Sequence, residues 1–195
     1  MIVIGLTGSI GMGKSTVADQ FSIFGAKTCS ADRFVHKLMG VGGKAIGEIK
    51  KYFPEAVTDN YIDRQILGEI VFSDKKKLIL LEDILHPSVI DMENKFIYRQ
   101  KRLGTKIIVL DIPLLFETGG DERVDFTVVV TAPYFIQRQR VLGRENMTEE
   151  KFERIMASQM DDGEKRGRAD FIIPTSLGRA YSFKRVKEIV MRLEI

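Results

Sequence analysis

The chain has 195 residues, a length typical of one globular domain that can bury a continuous core. Its 30 basic side chains nearly balance its 27 acidic ones, and the formal net charge of +3 gives no indication of a nucleic-acid-binding surface. No apolar stretch approaches the roughly 20 residues needed to span a bilayer, so composition also argues against a membrane protein.

Five short runs of apolar and β-branched residues are predicted strands, and the segments between them have the longer spacing of helices. This alternation predicts a parallel sheet covered by helices, an α/β fold. The predicted strands are residues 2–7, 26–29, 107–111, 126–131 and 171–173.

A glycine-rich loop follows the first predicted strand. Residues 8–15 read Gly-Ser-Ile-Gly-Met-Gly-Lys-Ser, so that Gly8, Gly13, Lys14 and Ser15 have the spacing of a phosphate-binding loop. In such a loop, backbone N–H groups converge on phosphate oxygens, the lysine supplies positive charge and the hydroxyl ligates Mg²⁺. An ordinary glycine-rich turn is the alternative. The strand before the loop and the helical pattern after it are both what the motif requires, so we predict nucleotide binding.

Acidic residues follow two of the predicted strands. Asp32 comes after the second strand, at the sheet edge where ligands bind in open α/β folds. A carboxylate there can orient an acceptor hydroxyl and take its proton during phosphoryl transfer, although the position suits a helix N-cap equally well. Asp111 ends the third strand, where an acidic residue that supports magnesium usually lies in phosphate-loop proteins, and it too could cap the segment that follows.

Two intervals separate the predicted core segments of this single domain. Residues 32–104 are too many for one crossover, and their turn signals split them into several short helices, so we expect a substrate-binding insertion. Residues 143–168 are dense in charges of both signs and would suit a mobile helical lid. The core then comprises residues 1–31, 105–142 and 169–195.

Arg140 and Arg144 lie four residues apart, hence on one face of a predicted helix next to the lid. Both could there neutralise charge on a transferred phosphate. The alternative is a solvated helix face whose arginines pair with neighbouring glutamates. His86 precedes Pro87 at a predicted helix start, where a packing or capping role is expected.

Further short motifs occur along nearly the whole chain. They are Gly5-Leu6-Thr7-Gly8, Ser30-Ala31-Asp32, Ile62-Asp63-Arg64 with Leu67-Gly68, His86-Pro87, Asp111-Ile112-Pro113-Leu114-Leu115-Phe116-Glu117, Gln137-x2-Arg140 and Arg168-Ala169-Asp170. In this combination the chain resembles the dephospho-coenzyme A kinase family. The resemblance implies a three-layer α/β/α phosphate-loop kinase fold of the nucleoside-monophosphate-kinase type, with a five-stranded parallel sheet in the order 2-3-1-4-5.

The resemblance also implies transfer of the ATP γ-phosphate to the ribose 3′-hydroxyl of dephospho-coenzyme A, the last step of coenzyme A synthesis. Asp32 would be the base on the acceptor side, with Lys14 and Arg140 as the other catalytic residues and Arg140 closing from the lid. Arg64 and His86 would belong to the acceptor region. The phosphates of ATP would be held by Gly8, Gly11, Met12, Gly13, Lys14, Ser15 and Thr16, and Mg²⁺ by Ser15 and Asp111.

The chain departs from the family pattern at a few positions. Ser9 and Met12 replace a Gly and a Ser common in the loop, and Ser30 stands where an Asp often precedes Ala-Asp. Positions 9 and 12 contribute mainly backbone N–H groups, so their side chains can vary if they point away from phosphate. Residues 174–177, Pro-Thr-Ser-Leu, replace the usual Asp-Asn-Ser-Gly, and we leave this segment out of the predicted site.

Two other functions would use the same loop. A kinase for another small acceptor, such as a nucleoside monophosphate, would share loop, lid and sheet, but the motifs in the middle of the chain argue against it. A nucleotide-dependent switch would need neither Asp32 nor the arginines, and the guanine-reading signature Asn-Lys-x-Asp is absent.

We expect no nucleic-acid or membrane partner, and the sequence leaves the oligomeric state open. The single cysteine, Cys29, cannot form an intramolecular disulfide, which fits a reducing compartment. The N-terminal residues show no basic start followed by an apolar signal core, so we expect a cytoplasmic protein.

Overall fold

The computed structural model describes residues 1–193, except for the side chain of Phe72. Its strands form one five-stranded sheet in the order β2-β3-β1-β4-β5, which confirms the predicted sheet and its order. The strands are β1 (Ile2–Thr7), β2 (Lys27–Ser30), β3 (Ile107–Asp111), β4 (Phe126–Thr131) and β5 (Phe171–Pro174).

The helices alternate with these strands or form the insertions between them. They are α1 (Lys14–Ile23), α2 (Ala31–Met39), α3 (Ile46–Tyr52), α4 (Arg64–Phe72), α5 (Lys75–Arg102), α6 (Tyr134–Leu142), α7 (Glu149–Ala157), α8 (Asp162–Arg168) and α9 (Arg179–Leu193). Short 3-10 turns occur at Pro54–Ala56 and Gly120–Arg123. No helix within residues 1–193 is long and apolar enough to cross a membrane.

The central strand β1 runs parallel to both of its neighbours, pairing Leu6 with Asp111 of β3 and Thr7 with Val129 of β4. All of β3 and most of β1 are buried, as expected for parallel strands covered on both faces, whose sequences are continuous apolar runs rather than alternating ones. Because the strands are parallel, the loops that follow them collect at one edge of the sheet.

The chain divides into two compact units. The first comprises Met1–Cys29 and the chain from Arg99 onward, and the second is Ser30–Tyr98. Residues of the sheet, α1 and α9 form the core of the first unit, including Phe21, Val128 and Val190. The second unit has its own core of α2 to α5 residues. The roles predicted for the insertion and the lid stay predictions.

Helix α5 has 28 residues and contains Pro87, so the prediction that a helix starts at His86 is wrong. Proline removes one backbone hydrogen bond and usually ends or kinks a helix. Here Leu81, Leu85 and Val89 recur every four residues and are all buried in the core of the second unit. Their packing sustains the helix on both sides of the proline, whereas the rest of the insertion forms short helices as predicted.

Candidate functional site

The phosphate loop connects β1 to α1, as its spacing predicts, and α1 begins at Lys14. Gly13 is the N-cap of α1 and has a φ of 89°, a left-handed conformation that glycine adopts at little cost. A β-carbon on Gly8 would lie 2.6 Å from the backbone oxygen of Val130, so this position also requires glycine. The first N–H groups of α1 have no acceptor within the helix, which makes this end of the helix a site for an anion.

The side chain of Met12 points into the protein core. It is 2% exposed, and its sulfur accepts a hydrogen bond from the backbone N–H of Ala132 at 3.0 Å. The side chain of Ser9 is also buried. These two departures from the family pattern therefore leave the outer side of the loop to backbone groups.

Two glutamine side chains hold the backbone of the loop at Ile10. The amide nitrogen of Gln137 donates to the carbonyl of Ile10 at 2.8 Å, and the N–H of Ile10 donates to the side-chain oxygen of Gln159 at 3.0 Å. Gln137 is 1% exposed, so it braces the loop from within the protein. The motif Gln137-x2-Arg140 thus contains a residue that supports the loop, a role that its sequence position did not reveal.

Lys14 and Asp111 form an ion pair, through Nζ of the lysine and Oδ1 of the aspartate. Their side chains are only 13% and 11% exposed. The parallel register that places Asp111 beside Leu6 brings this carboxylate to the edge where the loop begins. The structure thus brings together the residue predicted to bind phosphate and the residue predicted to support magnesium, and each compensates the charge of the other.

Arg140 lies on α6 and is held beside the loop. One of its terminal nitrogens donates to the hydroxyl of Thr175 at 2.9 Å, and the other donates to the carbonyl of Thr175 at 3.0 Å. A longer contact of 3.4 Å reaches the carbonyl of Gly11. Arg140 therefore belongs to α6, the helix that follows β4, and precedes the predicted lid segment. Its closure over the substrate stays a prediction.

Arg144 lies beyond the end of α6, so the prediction that Arg140 and Arg144 share one helix face is wrong. The helix ends at Leu142 with Gly143 as its C-cap. Both arginines nevertheless border the same cavity, of about 250 Å³, together with Arg179. Three guanidinium groups around one cavity favour a polyanionic ligand.

The remaining wall of this cavity is formed largely by the loop and by the segment after β5. Gly11, Gly13 and Thr16 were predicted to contact ATP, and all three line the cavity. Thr175 and Arg179 line it as well, but sequence reasoning missed both. The sequence marks Thr175 only by its departure from the family pattern.

The predicted lid segment forms two helices, α7 and α8, and α7 contacts the neighbouring α6. Arg138 donates a bidentate pair of hydrogen bonds to the carboxylate of Glu149, at 2.7 and 2.5 Å. The hydroxyl of Tyr134 donates to Glu153 at 3.0 Å. The hydrogen bond to Glu153 raises the pKa of the Tyr134 phenol. The pairing with glutamate that we considered for Arg140 thus occurs at Arg138, and exposed pairs of this kind contribute little stability.

A buried ion pair fastens α8 to the segment after β3. Lys165 is fully buried, with its ammonium 2.8 Å from Oε1 of Glu117 and 3.4 Å from the carbonyl of Pro113. The same carboxylate oxygen accepts the N–H of Met160 at 2.9 Å. Glu117, the last residue of the Asp-Ile-Pro-Leu-Leu-Phe-Glu motif, is therefore a structural residue, and the sequence indicated no catalytic role for it.

We expect Lys165→Met to lower the free energy of unfolding by about 3–5 kcal/mol, because it leaves the carboxylate of Glu117 uncompensated in the interior. Urea denaturation measures the loss. Arg166→Met is the matched control, since Arg166 is half-exposed and its pair with Asp162 joins two residues of the same helix. Adding Glu117→Leu to Lys165→Met should recover part of the loss, and an unchanged stability of the single variant would contradict the assignment.

The motif Arg168-Ala169-Asp170 is also structural. Arg168 pairs with Asp121 at 2.8 Å, and its guanidinium lies 4.6 Å from the ring centre of Phe116. Asp170 accepts both the N–H and the hydroxyl of Thr127, at 2.7 and 2.8 Å. The contacts of Asp170 fasten the start of β5 to β4, which positions the segment that carries Thr175.

Asp32 lies in the second unit, exposed, in the first turn of α2. The N-cap of this helix is Ser30, so the alternative that Asp32 is the N-cap is wrong. A carboxylate in the first turn still interacts favourably with the helix dipole.

The second unit also contains Arg64, the first residue of α4, which begins after the N-cap Asp63. Arg64 contacts the imidazole of His36, 2.6 Å from its Nε2. His86 lies within α5, half-buried, one turn after Glu82. Burial raises the pKa of Glu82, and the nearby His86 opposes that rise. The structure therefore brings Arg64 to His36, a residue outside the predicted site.

Within residues 1–193, no group of three or more His, Cys, Asp or Glu side chains could hold a metal ion by itself. Mg²⁺ is commonly bound by one or two protein oxygens together with waters and substrate phosphates, so it does not need such a group. The hydroxyl of Ser15 and the carboxylate of Asp111 are hard oxygen ligands of the type it prefers. The residues present therefore fit Mg²⁺ delivered with a nucleotide.

The sequence model of the dephospho-CoA kinase family matches residues 2–179. A dephospho-CoA kinase from Mesorhizobium japonicum is 49% identical over 193 residues, which cover 99% of this chain and 97% of that protein. A crystal structure from Thermus thermophilus is 34% identical with a TM-score of 0.84, covering 98% of this chain and 96% of the other. The dephospho-CoA kinase from Campylobacter jejuni is 27% identical with a TM-score of 0.64, and the match covers 98% of this chain and 96% of that one. The chain belongs to the dephospho-CoA kinase family.

Proposed function

We propose that this chain transfers the γ-phosphate of ATP to the ribose 3′-hydroxyl of dephospho-coenzyme A. The observation that carries this proposal is the match to dephospho-CoA kinases over almost the full length of the chain, including every part of the site described above. The phosphate loop at the start of α1 and the cavity bordered by three arginines are what an enzyme that binds ATP requires.

Lys14 is the residue that we expect to bind the transferred phosphate. Its ammonium group pairs with Asp111 in a largely buried position, so it is directed along the edge of the sheet rather than into solvent. Phosphoryl transfer involves little covalent chemistry for the protein, and catalysis depends on holding the reactants and stabilising charge. Lys14, the N–H groups of Gly11 and of residues 13–16, and the guanidinium of Arg140 would supply that stabilisation. The N–H of Met12 donates to the carbonyl of Ser9 at 3.1 Å in this structure.

Ser15 and Asp111 are the residues that would hold Mg²⁺ with ATP. When bound, the ion would neutralise charge on the phosphate oxygens and hold them in one arrangement. Asp111 would then exchange its ion pair with Lys14 for the ion, while Lys14 takes up phosphate. Until that exchange, the pairing of Lys14 with Asp111 avoids an uncompensated charge at this largely buried edge of the sheet.

Asp32 is the residue that we propose as the base for the acceptor hydroxyl. It follows β2 in the motif Ser30-Ala31-Asp32, and its exposed carboxylate in the first turn of α2 is accessible to a ligand. A carboxylate of ordinary basicity is sufficient, because the hydroxyl proton is transferred late in this reaction. Arg64 and His86, both in the same unit, remain our candidates for contacts with the acceptor.

The test is a comparison of acceptors. The purified chain is supplied with Mg·ATP and, in turn, dephospho-coenzyme A, AMP, dTMP or shikimate, and ADP release is followed. We expect kcat/KM for dephospho-coenzyme A to exceed that for the others by on the order of 100-fold or more, since hydrogen-bonding sites discriminate strongly against acceptors that leave polar groups unpaired. Phosphorus NMR should place the new phosphate on the 3′ oxygen. A preference for another acceptor would overturn the proposal.

A cytoplasmic location is part of the same proposal. Coenzyme A synthesis consumes ATP, and the single cysteine fits a reducing compartment.

A further inference from the structure

Thr175 occupies a rigid position directly after β5. Its N–H donates to the carbonyl of Thr131 at 2.9 Å, which extends the pairing of β4 with β5 by one residue. Asp170 fastens the other end of β5 to β4. The backbone of Thr175 is therefore held by the sheet, unlike that of a residue in a free loop.

The hydroxyl of Thr175 connects two parts of the candidate ATP site. It lies 2.7 Å from the carbonyl of Met12 in the phosphate loop and accepts a hydrogen bond from Arg140 at 2.9 Å. A hydroxyl has one proton and two acceptor positions, so it can donate to Met12 and accept from Arg140 at the same time. The carbonyl of Thr131, at 3.3 Å, is a more distant acceptor for the same proton.

Arg140 is held by Thr175 at two points, since its other terminal nitrogen donates to the backbone carbonyl of Thr175 at 3.0 Å. A long arginine side chain has many rotamers, and two hydrogen bonds to a rigid partner restrict it to a few. The restricted guanidinium lies beside Gly11, at the wall of the cavity that Arg140 shares with Thr175. An arginine placed in advance loses less entropy when it binds an anion.

We propose that Thr175 is a positioning residue, which holds the guanidinium of Arg140 beside the phosphate loop in the orientation that receives ATP. The inference rests on the proposed function for the identity of the nucleotide. Among the contacts described for this cavity, the hydroxyl of Thr175 is the one that reaches both the phosphate loop and Arg140. Position 175 departs from the family pattern, in which an Asn usually stands there.

The test is a double-mutant cycle between Thr175 and Arg140. Thr175→Val keeps the size and branching of the side chain but removes the hydroxyl, Thr175→Ser keeps the hydroxyl, and Arg140→Ala removes the guanidinium. Ser176→Ala, which removes the next hydroxyl in the same segment, is the matched control. The dissociation constant of Mg·ATP is measured by calorimetry for each variant, kcat is measured with dephospho-coenzyme A, and thermal unfolding checks the fold.

We expect Thr175→Val to weaken ATP binding by about tenfold, because a hydrogen bond to a charged group is lost. The dissociation constants of Thr175→Ser and Ser176→Ala should stay within about twofold of that of the parent protein. A difference of this size is smaller than the loss of such a hydrogen bond would cause. In the Arg140→Ala background, Thr175→Val should have no further effect beyond about twofold, since positions that act through one another are not additive.

An equal effect of Thr175→Val with and without Arg140 would overturn the proposal, because Thr175 would then act on the loop alone. A normal dissociation constant in Arg140→Ala would overturn it too. Failure of the proposed function gives a different result: the parent protein binds ATP but phosphorylates no dephospho-coenzyme A. In that case the double-mutant cycle still tests the role of Thr175, because it is measured on the dissociation constant of Mg·ATP.

Discussion

Replacing Lys14 by alanine should reduce kcat/KM for ATP by on the order of 1,000-fold, through weaker binding and slower turnover together. The ammonium contacts phosphate in the ground state and gains importance as charge develops on the transferred group, so both parameters should fall. Calorimetry gives the dissociation constant of ATP, and steady-state kinetics with dephospho-coenzyme A gives kcat.

The ion pair with Asp111 requires a control for this variant. Lys14→Ala leaves the carboxylate of Asp111, only 11% exposed, without the lysine, and part of any loss could come from that charge. The double variant Lys14→Ala/Asp111→Asn removes the charge. We expect it to regain thermal stability but not affinity for ATP, which is measured by calorimetry without Mg²⁺ because Asp111 is also a proposed Mg²⁺ ligand. Recovery of that affinity in the double variant would show that Lys14 acts by neutralising Asp111 rather than by binding phosphate.

The parts of the fold that could be predicted are those with a local pattern. Strands β1, β3, β4 and β5 are short apolar runs, and the phosphate loop has a fixed spacing between a strand and a helix, so these parts were evident in a single sequence. The strand order came from the resemblance to a family, because periodicity does not specify which strands are neighbours. Helix α5 was predicted wrongly at Pro87, where burial of a leucine and valine face outweighs a local helix-breaking signal.

The parts of the site that could not be predicted are contacts between distant positions. Met12, Arg140 and Thr175 are far apart in the chain and meet only because the sheet brings their segments to one edge. No local pattern marks Thr175. Lys14 and Asp111 were each predicted as site residues, but their pairing follows from the register between β1 and β3, which appears only in the structure.

Several family motifs proved to have structural roles. Gln137 braces the loop, Glu117 compensates buried Lys165, and Asp170 fastens β5 to β4. A motif shared by a family therefore does not by itself identify a residue that contacts substrate. The contacts of each residue distinguish the residues that support the site from those that would bind ATP.

Asp32→Asn should lower kcat by about 100- to 10,000-fold, the usual contribution of a positioned general base, and leave the dissociation constant of ATP within about twofold. Asparagine has nearly the same size and can still hold the acceptor hydroxyl, but its amide does not take up the proton. Since Ser30 rather than Asp32 is the N-cap of α2 and Asp32 is exposed, the substitution should leave the fold intact.

Asp59→Asn is the matched control, because Asp59 is another exposed carboxylate in the same unit, and its replacement should leave kcat unchanged. Rapid-quench measurement of a single turnover separates the chemical step from product release, and we expect the loss in Asp32→Asn to lie in that step. An unchanged single-turnover rate would refute the role as a base. The carboxylate of Asp32 would then contribute only its favourable interaction with the first turn of α2.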